Sequence, residues 1–173
     1  IPVIPPEELA KLELSEYARP RVEQTQQLAP YGLPSNLDAW DGYPAARERL
    51  FAMLSAHATN PVSLAGDTHN GWAFNLTNQK GEAVGVEWGT PGISSPGLEN
   101  YVPLPPEQMQ ALLKGASPEL VACDTSQRGW THVTLTPEAA TAQWRFVSSV
   151  TEPTYRTSAG EPLVTQRNAR ALA

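Results

Sequence analysis

An acidic and an imidazole side chain stand two residues apart, directly after a short apolar run. In the stretch PVSLAGDTHNGW, Asp67 and His69 follow a predicted strand over residues 62–65. Alternate residues of an extended segment point the same way, and Gly66 gives the backbone room to turn. A carboxylate suits a hard cation such as calcium, whereas an imidazole suits iron or zinc. The pair therefore fits part of a site for two metal ions. The alternative is a turn in which Asp67 accepts backbone N–H bonds and His69 is half-buried beside Trp72.

The composition limits the class of protein. The chain has 173 residues, which suits one domain, and 17 prolines, which predict many irregular connections. Its net charge of −6 disfavours a nucleic-acid partner, because such binding depends on Lys and Arg contacts to phosphate. Cys123 is the sole cysteine, so an internal disulfide and a cysteine-rich zinc site are excluded. No apolar stretch approaches the length of a membrane span.

The spacing of apolar residues predicts one firm helix and a series of strands. Pro44 suits a first helical turn, and apolar residues recur at helical spacing through residue 58. The stretches GWAFNLT and EAVGVEWG alternate on either side of the turn NQKG and predict a β-hairpin. A second helix, closed by Gly115, is predicted in PPEQMQALLKG, and further strands in LVACD, GWTHVTLTP and ATAQWRFVSSV. This order of elements predicts a mixed α/β, or α+β, fold.

The beginning of the chain is less regular. Residues 1–36 are rich in Pro, Gln, Glu and Leu, and the run PPEEL predicts a helix start. Pro20 and Pro34 predict a surface excursion over residues 22–35 with at most one short helix. We therefore divide the chain into an irregular lead-in, residues 1–36, and a domain, residues 37–173. The opening IPVIPPEEL has neither an initiator Met nor a signal-peptide core, so we expect it to follow further polypeptide.

Four stretches carry a resemblance to a known family: NLDAWDGYPAARERL, LAGDTHNGWAFNL, GVEWGTPGISSPGLE and DTSQRGWTHVTLTP, in this order and spacing. Together they resemble the carboxy-terminal half of the alkaline phosphatase D (PhoD-like) family of metal-dependent phosphatases and phosphodiesterases. The resemblance is least distinct over residues 1–36. It implies half of a metallophosphatase-type two-sheet sandwich with flanking helices, mostly antiparallel towards the carboxy terminus.

The resemblance also implies which residues bind metal. The segment Gly66-Asp67-Thr68-His69 matches the last ligand motif, Gly-His-x-His, of the related calcineurin-like metallophosphatases and purple acid phosphatases. By this match Asp67 binds a divalent ion, expected to be calcium, and His69 binds a ferric ion, with another divalent metal as an alternative. Such ions activate a hydroxide for in-line attack on phosphate mono- and diesters. Asp67 and His69 are thus the predicted catalytic and metal-binding residues.

The family's earlier ligands lie in motifs of the Asp-x-Glu-Tyr and Asn-His-Glu kind, which this sequence lacks. The resemblance therefore implies a partner, the amino-terminal half of the same enzyme, either in the same gene product or as an associated chain. It implies little activity for the 173 residues alone. Family members are commonly exported in folded form, which implies a periplasmic or secreted location. The alternatives are a non-catalytic β-rich binding or structural domain and an esterase that uses Ser94 or Ser95.

Three further residues are candidates for binding the phosphate ester, again by resemblance. Trp40 precedes the predicted helix, in a stretch that lies near the site in the family. Asn70 could meet a phosphate oxygen, although a turn-forming role before a glycine fits its position equally. Arg128 could hold a phosphate through two N–H donors, or form a structural clamp with Asp124.

Two carboxylates are candidates for supporting the ligands. Glu87 lies in an otherwise apolar strand, and a buried carboxylate needs a partner. It could orient a ligand such as His69, pair with Arg128, or face solvent. Asp124 shares one turn with Arg128, and the family has a comparable Asp…Arg-Gly-aromatic motif, so Asp124 is a second supporting candidate.

Overall fold

The computed structural model describes residues 7, 10–11, 13–34 and 36–173. Helices α1, α2 and α3 span Ala18–Leu28, Pro44–His57 and Pro106–Ala116. Strands β1 to β8 span Val62–Ala65, Gly71–Thr77, Ala83–Gly89, Leu120–Asp124, Arg128–Leu135, Ala139–Val147, Thr157–Ala159 and Leu163–Gln166. The predicted helix start in PPEEL lies largely outside the described residues. Within those residues, each helix falls short of the length and apolarity that a membrane-spanning segment requires.

The strands form two sheets. The first has the order β1-β3-β2-β4, in which β1 runs parallel to β3 and the other pairs are antiparallel. In the second sheet β6 pairs antiparallel with β5 on one side and with β7 and β8 on the other. The predicted hairpin is β2 and β3, with Phe74 opposite Glu87. The predictions of a mixed α/β fold and of mostly antiparallel pairing are therefore confirmed.

The core lies between the two sheets, because each sheet turns one apolar face towards the other. Strand β6 shows the period of two expected for a strand with one buried face, since every second residue from Ala140 to Phe146 is buried. The buried cluster consists of Ala73, Val86 and Trp88 from the first sheet and Ala140, Ala142, Trp144 and Phe146 from the second. Each large apolar side chain placed here stabilises the fold by roughly 1.5–3 kcal/mol.

Helix α2 contacts the opposite, outer face of the first sheet. Pro44 begins it, as predicted, and Phe51 is its buried residue. A cavity of about 540 Å³ opens between α2 and the strands beneath it. Its lining is largely apolar, with Phe74 and Leu76 from β2, and Glu87 is among its polar residues. The outer face of this sheet is therefore only partly covered by the described residues.

The helix prediction after Pro20 agrees with the structure, whereas the predicted end of α3 does not. The sequence predicts at most one short helix in this region, and α1, Ala18–Leu28, is that helix. Pro20 stands in the first turn, where an N–H group has no partner within the helix in any case. Helix α3 includes Gly115 rather than ending there. It is followed by an extended Ser117, because Pro118 disfavours the helical conformation for the residue before it.

Several loops meet at one end of the first sheet. This is the end at which β1 and β3 finish, and we call it the sheet edge. Strands β1 and β3 are parallel and end at this edge, so residues 66–70 and 90–101 leave from neighbouring positions. Strand β2 begins here, because it is antiparallel to β3, and Gly71 pairs with Asp124 at the end of β4. The turn of residues 124–128 therefore reaches the same edge as the predicted ligand residues.

Candidate functional site

The predicted ligand residues lie in a tight loop after β1, residues 66–70, which we call the ligand loop. Asp67 and His69 both have left-handed backbones, with φ of 69° and 60°. This conformation is uncommon for residues with side chains, although Asp and His adopt it more often than most. The Thr68 N–H donates to the Gly66 carbonyl at 2.9 Å, and the Trp72 indole N–H donates to Thr68 Oγ1 at 2.7 Å. The loop is thus held in a strained shape by its own hydrogen bonds, as is common at functional sites.

The imidazole of His69 is oriented by a backbone carbonyl. Its Nδ1 lies 3.0 Å from the Pro96 oxygen. A carbonyl can only accept, so this hydrogen bond requires a proton on Nδ1, and in the neutral ring it leaves the lone pair on Nε2. Histidines that bind metal commonly make this kind of contact through their second nitrogen. His69 is half-buried and Asp67 is exposed, so the carboxylate is open to solvent at the sheet edge.

Asn70 uses its side chain to join two loops. It is 3% exposed, and its Nδ2 donates to the Thr68 carbonyl at 2.5 Å. Its Oδ1 accepts the Leu98 N–H at 3.0 Å. Both ends of the amide are therefore engaged by backbone groups, an arrangement that favours the turn-forming interpretation of Asn70 over contact with a phosphate oxygen.

Arg128 is buried at the start of β5 and forms an ion pair with Glu99. It also donates from Nη1 to the Gln127 carbonyl at 2.8 Å. Burial lowers the pKa of the Arg128 guanidinium from its ordinary value, but arginine stays protonated near neutral pH. Its charge is already matched by the Glu99 carboxylate, so the geometry favours a structural role over phosphate binding.

Asp124 organises the turn before β5. Its Oδ1 accepts the N–H groups of Ser126 and Gln127 at 3.0 Å and 2.8 Å, and its Oδ2 accepts from the Gln127 side chain at 2.7 Å. These are the contacts of an Asx-turn. The Asp124–Arg128 clamp considered above is replaced by two separate contacts, one within the turn and one from Arg128 to Glu99.

Glu87 and Trp40 lie on the outer side of the first sheet, where α2 packs, rather than among the loops at the sheet edge. Glu87 Oε2 accepts the Ser63 hydroxyl at 2.8 Å, which gives this carboxylate its partner. Both residues line the cavity beneath α2, and Trp40 is 55% exposed. Glu87 also borders a smaller cleft whose lining includes Gly66 and Thr68.

Sequence reasoning did not single out Glu99 or Pro96. Glu99 closes the stretch GVEWGTPGISSPGLE, so its place at the end of one of the four motifs that resemble the family was the available signal. The contribution of Pro96 comes from its carbonyl oxygen, and no pattern of side-chain types marks such a group. The residues that orient His69 thus become apparent only in three dimensions.

The donor set is suited to metal but incomplete. The Asp67 carboxylate and the His69 Nε2 are donors of the kinds that calcium and iron accept. Within the described residues, however, no group of three or more His, Cys, Asp or Glu side chains could hold an ion. Calcium alone takes about six to eight oxygen ligands. The two residues therefore have suitable donor atoms for a metal ion but are too few to complete a coordination sphere.

Cys123, in β4, is expected to react slowly with thiol reagents. Burial, and secondarily the Asp124 charge, raises the pKa of its thiol above the ordinary 9.0, although Lys114 opposes this. The thiolate is the reactive form, so at about pH 8 we expect labelling by a disulfide reagent to be at least about tenfold slower in the folded chain than in urea. The raised pKa also stabilises the fold below about pH 9, a contribution lost as the pH rises further. Equal labelling rates would contradict the buried placement.

The comparisons with known proteins agree with this architecture. The chain is 31% identical over 142 residues to alkaline phosphatase D of Bacillus subtilis (strain 168), a match that covers 79% of this chain and 24% of that protein. It is also similar to a solved structure of PhoD, with a TM-score of 0.59 and 26% sequence identity. That match covers 79% of this chain and 26% of the solved one.

Over the matched part of the chain, the two-sheet fold is that of the solved PhoD structure. The model of the PhoD-like phosphatase family matches residues 10–144, and the chain belongs to that family. It spans about a quarter of the length of the relatives it matches. The resemblance inferred from the four sequence motifs is therefore confirmed. The division at residues 36 and 37 stays a prediction.

Proposed function

We propose that this chain forms the carboxy-terminal part of a metal-dependent phosphoesterase domain in which Asp67 and His69 are metal ligands. The observation that carries the proposal is the contact of His69 Nδ1 with the Pro96 carbonyl. This contact leaves the Nε2 lone pair available to bind a metal ion. Membership of the PhoD-like phosphatase family supports the reaction class. Since the chain spans about a quarter of its relatives, we propose the activity for a longer assembly.

Each ligand suits a different ion. The oxygens of Asp67 would hold a hard divalent ion, calcium or another divalent metal, and the nitrogen of His69 would hold a ferric ion. Such ions, when bound, supply an activated water and positive charge that neutralises the phosphoryl oxygens. The reaction proposed is the hydrolysis of phosphate mono- and diesters.

The chain's own residues contribute a fixed platform for these donors. The hydrogen bonds from Trp72 to Thr68 and from Asn70 to the Thr68 carbonyl restrain the loop on both sides. The exposed Asp67 leaves space on the solvent side for a phosphate ester to approach. Positioning donors in advance lowers the cost of assembling the reacting groups.

The remaining donors are proposed to come from the amino-terminal half of the same enzyme, in one gene product with this chain or associated with it. A periplasmic or secreted location is proposed on the family resemblance alone. The net charge of −6 leaves nucleic acid the least suitable substrate, and small phosphate esters the more suitable one.

The test compares this chain alone with the same chain joined to the amino-terminal half of the enzyme. We expect the 173 residues alone to bind iron weakly and to hydrolyse an aryl phosphate at the background rate, because they supply only part of the donor set. The joined protein should hydrolyse the ester and lose this activity on chelation. Robust hydrolysis by the chain alone would overturn the partial-site proposal. A joined protein without metal-dependent hydrolysis would favour the non-catalytic domain.

A further inference from the structure

A second loop forms hydrogen bonds with the ligand loop on one side and an ion pair with β5 on the other. We define the brace loop as residues 96–99. Towards the ligand loop, it provides the Pro96 carbonyl to His69 and the Leu98 N–H to Asn70. Towards β5, it provides the Glu99 carboxylate to the buried Arg128. The brace loop therefore connects the ligand loop to the start of the second sheet.

The peptide between Pro96 and Gly97 links the two sides. Its N–H, on Gly97, donates to Glu99 Oε1 at 3.3 Å, and its C=O, on Pro96, accepts from His69 Nδ1 at 3.0 Å. The peptide unit is planar and trans, so its N–H and C=O point in opposite directions. A carboxylate that fixes the N–H on one side thereby fixes the direction of the carbonyl on the other.

We propose that Glu99, anchored by Arg128, is a positioning residue for His69. It orients the Pro96–Gly97 peptide so that the carbonyl accepts the Nδ1 proton and the Nε2 lone pair faces outward. The importance of this tautomer for catalysis rests on the proposed function, because it assumes that His69 is a ligand. The orientation of the imidazole itself does not depend on that assumption.

The packing around Gly97 explains why the brace loop can approach so closely. A Cβ on this residue would collide with Asn70 Oδ1 and would lie 3.0 Å from the His69 carbonyl oxygen and 2.9 Å from Glu99 Oε2. Such distances are shorter than normal contacts between these atoms. Glycine is therefore needed for the peptide to lie between the carboxylate and the imidazole.

The test reads the tautomer directly, in metal-free chain. The sequence has three histidines, so the ¹⁵N–¹H spectrum of the imidazoles contains three spin systems. The spectrum is recorded at about pH 8.5, where a histidine of ordinary pKa, about 6.5, is neutral, so that neutral tautomers are compared. We expect His69 to show a protonated Nδ1, while the exposed His57 and His132 serve as references for unrestrained rings.

The variant Glu99→Gln removes the charge that Arg128 holds, and we expect the His69 signals to move towards those of the reference rings. Glu138→Gln, in the exposed turn between β5 and β6, removes the same charge and should leave them unchanged. In the joined enzyme, Glu99→Gln should weaken metal affinity by about 10–100-fold, the usual effect of removing a group that orients a ligand.

Arg128→Lys is a second test of the same contact. It keeps the positive charge but loses the planar guanidinium, which binds Glu99 and the Gln127 carbonyl at the same time. It should shift the His69 signals in the same direction as Glu99→Gln, and dispersed amide signals check that each variant is folded. Unchanged His69 signals in both variants, or a wild-type His69 protonated at Nε2, would overturn the proposal. Neither result depends on hydrolysis, so failure of the phosphoesterase proposal is distinguishable from failure of this one.

Discussion

Replacing His69 with alanine is expected to lower aryl phosphate hydrolysis by the joined enzyme by more than about 100-fold. Loss of a group that merely orients a metal ligand costs about 10–100-fold in affinity or activity, and loss of the ligand itself should cost more. The half-buried imidazole is held by the Pro96 carbonyl, so its Nε2 has a fixed position that a water molecule would reproduce poorly. The measurement is kcat/KM, together with the iron content of the purified protein.

The matched control is His132→Ala, which removes the same side chain from an exposed position in β5. It should change hydrolysis less than about twofold, since surface substitutions away from functional features have small effects. Asp67→Asn keeps the shape of the other donor and removes its charge, and is expected to reduce the content of the divalent ion rather than of iron. A His69→Ala enzyme with full activity and full iron content would remove this residue from the metal site.

The placement of residues 66–70 in a loop at the end of β1 could be predicted from the sequence because it depends on local patterns. An apolar run that ends in Gly-Asp-x-His predicts a strand followed by a loop, and the hairpin next to it follows from alternation and the turn NQKG. The parallel pairing of β1 with β3 then brings residues 66–70 beside residues 90–101. The strand, the loop and the hairpin each follow from side-chain types along one continuous stretch, whereas the pairing of β1 with β3 joins strands that are distant in sequence, and the sequence does not predict it.

The contacts of the supporting residues could not be predicted, because they depend on which face and which loop each side chain reaches. Glu87 lies in β3, a strand that the sequence predicts. Its register opposite Phe74 turns its side chain to the outer face of the sheet, where it contacts Ser63. Arg128 shares a turn with Asp124, yet the Asx-turn engages that carboxylate and leaves the guanidinium to Glu99. Local spacing suggests partners, but the tertiary arrangement of loops selects among them.

The connection between core and site leads to the largest expected effect on stability. Trp144, in β6, is 6% exposed. Its indole ring lies so close to Gly71 that a Cβ on this glycine would be 2.9 Å from Trp144 Cε2. Gly71 begins β2 directly after the ligand loop. The indole N–H also donates to the Gly89 carbonyl at 3.2 Å, at the end of β3. Trp144 therefore contacts the start of β2, where the ligand loop ends, and the end of β3, after which residues 90–101 follow.

Trp144→Ala is expected to lower the free energy of unfolding by about 3–5 kcal/mol, the usual cost of deleting a large aromatic side chain from a core. This is a large part of the roughly 5–15 kcal/mol that stabilises a typical domain. Trp130→Ala, in β5, is the control, because that ring is 38% exposed and should cost less. Urea unfolding followed by circular dichroism measures both values.

Trp144→Phe separates the contribution of apolar packing from that of the hydrogen bond. It keeps most of the apolar volume and loses the hydrogen bond to Gly89, for which a cost of about 1 kcal/mol is expected. Equal losses for Trp144→Ala and Trp130→Ala would contradict a core centred on β6, and with it the packing that supports the ligand loop.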